Sequence, residues 1–83
     1  MNRPEELRDR TKRFAIAVVK LLRRMPYSEE SKVVRNQLLK ASSSVAANYR
    51  AVCRARTKAE FIAKIGVVLE EADESAFWLE FII

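Results

Sequence analysis

Four acids crowd one stretch near the end of the chain: Glu70, Glu71, Asp73 and Glu74. Glu70 and Glu74 are four residues apart, which puts two carboxylates on one face of a helix. Paired helical carboxylates can cradle metal ions. Di-iron bundles, however, add a His three residues after a Glu, and the sequence has no His. An oxygen-only Mg²⁺ or Ca²⁺ site needs a geometry that regular helices supply badly. The acids therefore read as ion-pair partners, with Lys40 brought near Asp73 or Glu74 by antiparallel folding. No metal and no cofactor is expected. Without His there is no Ser-His-Asp or Cys-His pair and no imidazole acid or base. The single Cys excludes an internal disulfide and a CxxC motif, and the single Gly excludes a glycine-rich phosphate loop. No nucleophile and base can be assembled, so the chain does not read as an enzyme. Cys53 reads as a packed thiol.

The other chemistry on offer is cationic. The chain has 16 Lys+Arg against 11 Asp+Glu, a net charge of +5. Residues 1–58 hold 15 basic and 5 acidic side chains, net +10, while residues 59–83 hold one base and 6 acids, net −5. Arg13, Lys20 and Arg24 share a stripe of the first helical segment, together with Arg10. Arg50 and Arg54 sit one turn apart in the second, with Arg56 and Lys58 following. Most of these bases are Arg, whose planar fork suits phosphate oxygens. The set Arg13, Lys20, Arg24, Arg50 and Arg54 is the candidate nucleic-acid surface, for RNA or DNA. The bland reading is a solvated basic face that keeps the protein soluble. Gln37 and Asn48 fall on or beside an apolar stripe, where a polar group can fix register. Tyr49 could stack on a base or be buried.

Positioning these residues requires helices. Met25-Pro26-Tyr27-Ser28 is one break: Pro26 disfavours helix at Met25, and Ser28 is an N-cap followed by Glu29 and Glu30, acids that suit the first turn. Arg54-Ala55-Arg56-Thr57 is the other. Its break rests on the capping-box spacing Thr57-x-x-Glu60, the alternative being one helix running through. Three helices follow, over 5–25, 29–55 and 58–83, within a single domain. Their apolar stripes are Leu7, Thr11, Phe14, Val18, Leu21 and Met25; then Val34, Leu38, Ala41, Val45, Asn48 and Val52; then Phe61, Ile65, Val68, Leu69, Ala72, Ala76 and Leu79. The fold class is all-α, an antiparallel up-down helical bundle. No segment reads as a signal peptide or a membrane span, and the lone thiol fits the reducing cytoplasm.

From Ala76 to Ile83 apolar residues occupy every helical face. A monomer would expose Phe77, Trp78, Phe81 and Ile82 together, so these four are the candidate oligomer interface. Three helices in 83 residues also bury only a thin core, which self-association commonly supplements.

The run Gln37-Leu38-Leu39-Lys40-Ala41-Ser42-Ser43-Ser44-Val45-Ala46-Ala47-Asn48-Tyr49-Arg50 is specific, as are Cys53-Arg54-Ala55, Ala59 to Lys64, Glu70 to Glu74 and Trp78-Leu79. Together they resemble the bacterial four-helix-bundle family encoded in 23S rRNA intervening sequences, often called the S23 ribosomal protein family. The resemblance implies a four-helix bundle, a homopentameric ring and no enzymatic activity. It also implies a likeness in fold to the basic accessory protein of diversity-generating retroelements. Relatives run on from the tryptophan segment into a fourth helix, so the expectation here is either a chain truncated before that helix or a short member of the family. The function expected is that of a non-enzymatic oligomeric helical bundle that binds nucleic acid through basic helix faces. The alternative is a structural module for protein–protein interaction.

Overall fold

In a computed structural model, residues 3–83 are described, and they form three helices: α1 (Arg3–Arg24), α2 (Glu29–Cys53) and α3 (Lys58–Ile82). Among the described residues there is no strand. The molecule measures 44 × 25 × 15 Å. Its thinnest dimension is little more than the roughly 10–12 Å diameter of one helix, so the helices form an open layer. Both α1 and α3 pack along α2; the backbones of α1 and α3 stay apart, and Trp78, Leu79 and Ile82 of α3 close on the cluster that holds Val18 and Leu22 of α1.

Local chemistry sets the breaks. After Arg24 the chain leaves helical geometry ahead of Pro26, and Arg35 Nη2 donates to the Met25 carbonyl across the turn. Ser28 is extended, with φ −159 and ψ 170, and its hydroxyl accepts from the Ser31 amide at 3.0 Å. Ser31 Oγ accepts from the Ser28 amide at 2.8 Å, completing a reciprocal box that serine rather than Glu or Gln closes. Removing the hydroxyl in Ser28→Ala is expected to cost about 1 kcal/mol, read as a drop in thermal midpoint. An unchanged midpoint would mean the cap is replaced by water at no cost.

The second break is real, so a continuous helix is excluded. The α2 helix stops at Cys53, and the Arg54 amide donates to the Ala51 carbonyl at 3.0 Å and the Ala55 amide to the Val52 carbonyl at 3.1 Å. Thr57 Oγ1 accepts from the Glu60 amide at 3.0 Å. Only this forward half of the expected capping box forms. Among the described residues no non-glycine residue adopts positive φ, so the turn needs no glycine.

The core follows the α2 stripe. Val34, Leu38, Ala41, Val45 and Val52 are all buried, and Asn48 is half-buried. Val34 and Leu38 join Val18 and Leu22 of α1 in one cluster, on which Phe14, Met25, Trp78, Leu79 and Ile82 pack. Val45, Tyr49 and Val52 join Val68 of α3 in a second, on which Ile65 packs. Serines at the closest approaches turn inward: Ser42 is 0% and Ser75 1% exposed, and Ser75 Oγ donates to the Glu71 carbonyl at 2.9 Å.

The outer helices use only part of their stripes. On α1, Val18 and Leu22 are buried while Leu7 and Leu21 stay exposed. On α3, Val68 and Ser75 are buried, whereas Phe61, Leu69, Ala72 and Ala76 are exposed. The α3 stripe is rotated from the α2 contact toward the unfilled corner between α1 and α3.

Candidate functional site

All five candidate bases, Arg13, Lys20, Arg24, Arg50 and Arg54, are exposed. They do not form one patch. Arg50 lies in a groove of about 650 Å³ between α1 and α2, which Arg8 and Lys12 also line. The floor of this groove is Ala15, Ile16 and Val19 of α1 with Ala46 and Ala47 of α2, and Glu5 and Asp9 stand at its margin. Arg13, Lys20 and Arg24 lie on another flank of α1, roughly a third of a turn from the groove stripe at about 100° per residue. Arg24 is also 16 residues from Arg8, about 24 Å along the helix. Arg54 caps the end of α2.

Sequence spacing missed that Arg8 and Lys12 share a groove with Arg50. The signal was available: they are four apart on α1, and antiparallel folding about Pro26 brings the start of α1 to the end of α2.

Pairing within the molecule is sparse. Among the described residues the ion pair is Arg13 Nε to Asp9 Oδ2 at 3.0 Å, one helical turn apart and well exposed. Such a pair contributes little, about 0–1 kcal/mol. Lys40 does not pair with Asp73 or Glu74. All three side chains are exposed, because Lys40 sits on the flank of α2 turned away from α3. The right level along the axis does not ensure the right rotation about it. Among the described residues no group of three or more acids, Cys or His could hold a metal ion.

Two other expectations change, and of the two readings of Tyr49 the buried one holds. Cys53 is exposed rather than packed. Asn48 does not bridge helices, since its Nδ2 donates within α2 to the Ser44 carbonyl at 2.9 Å and to Ser44 Oγ at 2.7 Å. Tyr49 is 8% exposed and belongs to the core, which takes it away from any stacking role. Burial first, and then the neighbouring Cys53 sulfur, push its phenol above the usual tyrosine range.

The four C-terminal residues also divide. Phe77 and Phe81 are 52% and 57% exposed, while Trp78 and Ile82 are half-buried against the first core cluster. Phe77 and Phe81 meet the Trp78 ring at centroid distances of 4.9 and 5.4 Å, both edge-on. Trp78 thus anchors the two phenylalanines to the core and leaves their outer faces open. The indole Nε1 of Trp78 and the Nε of Arg35 are buried without a partner. Among the described residues no helix is long and apolar enough to cross a membrane.

Comparison with known proteins places this arrangement. None of the curated proteins matches the chain. A solved structure of a protein of unknown function from the S23 ribosomal protein family of Bacteroides thetaiotaomicron VPI-5482 is 32% identical, with a TM-score of 0.82. The match covers 95% of this chain and 70% of that one. The family model described as 23S rRNA-intervening sequence protein matches residues 5–83. With nearly the whole chain matched by that model and a relative sharing its fold, the chain belongs to the 23S rRNA-intervening sequence protein family.

Proposed function

We propose that this protein is a non-enzymatic oligomeric bundle of the cytoplasm that binds nucleic-acid phosphates through the exposed bases of α1 and the end of α2. Arg13, Lys20, Arg24, Arg50 and Arg54 supply the contacts. The observation that carries the reading is their exposure together with the scarcity of acidic partners: of the five, only Arg13 has one among the described residues. Because the bases lie on two flanks and at both ends of α1, they suit a backbone lying across the layer, not a single phosphate pocket. Self-association, to a pentamer by family resemblance, would repeat the surface in each subunit. Its support is the apolar surface left open on α3 and on the α1 flank of Leu7 and Leu21.

Binding to unrelated RNA and DNA duplexes, measured by fluorescence anisotropy, is the test. Five phosphate contacts are expected to weaken affinity roughly 500-fold between about 50 and 200 mM salt. The double substitution Arg50→Glu, Arg54→Glu should weaken binding to all sequences alike and flatten the salt slope by about 2. Binding that is absent, or indifferent to salt, would eliminate the phosphate reading. A second reading, a protein–protein module without nucleic acid, is favoured by one observation: the α1–α2 groove has an apolar floor and acids at its margin, unlike a pure phosphate track.

A further inference from the structure

The self-association just proposed has an apolar surface on α3 but no assigned counterpart for it, and two features of the chain fit each other. The first is the α1–α2 groove, whose α1 wall presents Arg8, Lys12, Ala15 and Val19 in order. Among the described residues neither Arg8 nor Lys12 has an ion-pair partner, and Asp9 at the margin is engaged by Arg13. The second is the outward stripe of α3: Ala63, Val67, Glu70, Glu74, Phe77 and Phe81. All six are exposed, and neither glutamate has an ion-pair partner among the described residues. Their spacing alternates between four and three, the repeat of a seam that packs into another helix pair. The stripe faces away from α2, and among the described residues nothing covers it.

We propose that the α3 stripe of one copy docks in the α1–α2 groove of a second copy, with α3 parallel to the partner's α1. In that orientation the spacings coincide: Glu70, Glu74, Phe77 and Phe81 step by four, three and four, as do Arg8, Lys12, Ala15 and Val19. Glu70 then faces Arg8 and Glu74 faces Lys12. The two phenylalanines meet the α1 side of the floor, where small Ala15 leaves room and Ile16 and Val19 supply apolar contact. Charge complementarity names a second copy as the occupant. The groove lies in the part of the chain with net charge +10 and the stripe in the part with −5. Complementary charge orients such a contact and excludes the reversed one. The two surfaces differ, so each copy offers one of each and assembly goes beyond a dimer.

The test is solution mass by light scattering on the full chain. Wild type is expected above twice 9.6 kDa. Glu70→Lys with Glu74→Lys, or Arg8→Glu with Lys12→Glu, should each fall to the monomer while keeping wild-type helix content by circular dichroism, since all four residues are exposed. Mixing the two variants should restore association, as species larger than the monomer. Each mixed contact then pairs either two wild-type surfaces or two reversed ones. A monomeric wild type would overturn both this contact and the self-association it rests on. An oligomeric wild type whose mass ignores both reversals overturns the contact alone, as does a mixture that stays monomeric. Arg8→Glu with Lys12→Glu that abolishes nucleic-acid binding with assembly intact would assign the groove to phosphate instead.

Discussion

Replacing Leu38 by alanine is expected to remove about 2–5 kcal/mol of stability. Leu38 is 0% exposed and is the largest of the fully buried side chains. It packs with Val34 on its own helix and with Val18 and Leu22 on α1. Trp78, Leu79 and Ile82 of α3 close on the same cluster. Truncation therefore removes burial at the one place where all three helices meet, and leaves a cavity that three separate helices would have to move to fill. A chain of this length has a total stability of about 4–12 kcal/mol, so the loss is a large fraction of it. Urea unfolding followed by circular dichroism, at one fixed protein concentration because association shifts the midpoint, gives the number. A loss below about 1 kcal/mol would show that the helices are held together elsewhere.

Ser42→Leu is expected to be the second large effect, costing about 1–3 kcal/mol or more, while Ser42→Ala should be nearly silent. Ser42 is 0% exposed, and its hydroxyl makes only a long bond, 3.4 Å, to the Leu39 carbonyl one turn back. The hydroxyl thus contributes little, and the small volume is what matters. With no space left beside it, a leucine must push a neighbouring helix away from α2. Alanine keeps the close approach and removes a serine that competes with helical hydrogen bonding. Thermal midpoints of the two variants separate the roles. If alanine were as damaging as leucine, the hydrogen bond and not the packing would be holding the helices.

Much of the fold was legible because its signals are local. Pro26 and Ser28 mark the first turn by their own backbone chemistry, and Thr57 marks the second without a glycine or proline beside it. The α2 stripe read correctly because α2 is the central helix: it has neighbours on two sides, so its whole apolar face is used. The outer helices each pack along α2 alone and touch each other through side chains near the Leu38 cluster. Their stripes read as continuous in sequence, yet Leu7, Leu21, Leu69 and Ala76 remain exposed, since nothing in a periodicity states how many helices will come to cover it. The closing box at Ser28 was half legible, because the partner is Ser31 and not the Glu or Gln that the usual motif carries.

The candidate site was legible only in kind. Composition alone shows that there is no imidazole chemistry, that the bases crowd the first 58 residues and that the acids crowd the rest. Those are properties of residue type and order. Tertiary structure decided the rotation of each helix about its axis, and with it every juxtaposition: Arg8 and Lys12 in one groove with Arg50, Lys40 turned from Asp73 and Glu74, Trp78 on the core with Phe77 and Phe81 left outside. The physical reason is that a helical repeat places a side chain to within a face, whereas packing selects which flank of that face meets a neighbour. A residue or two of difference in spacing turns a side chain by 100° or more, which separates an ion pair from a solvated charge.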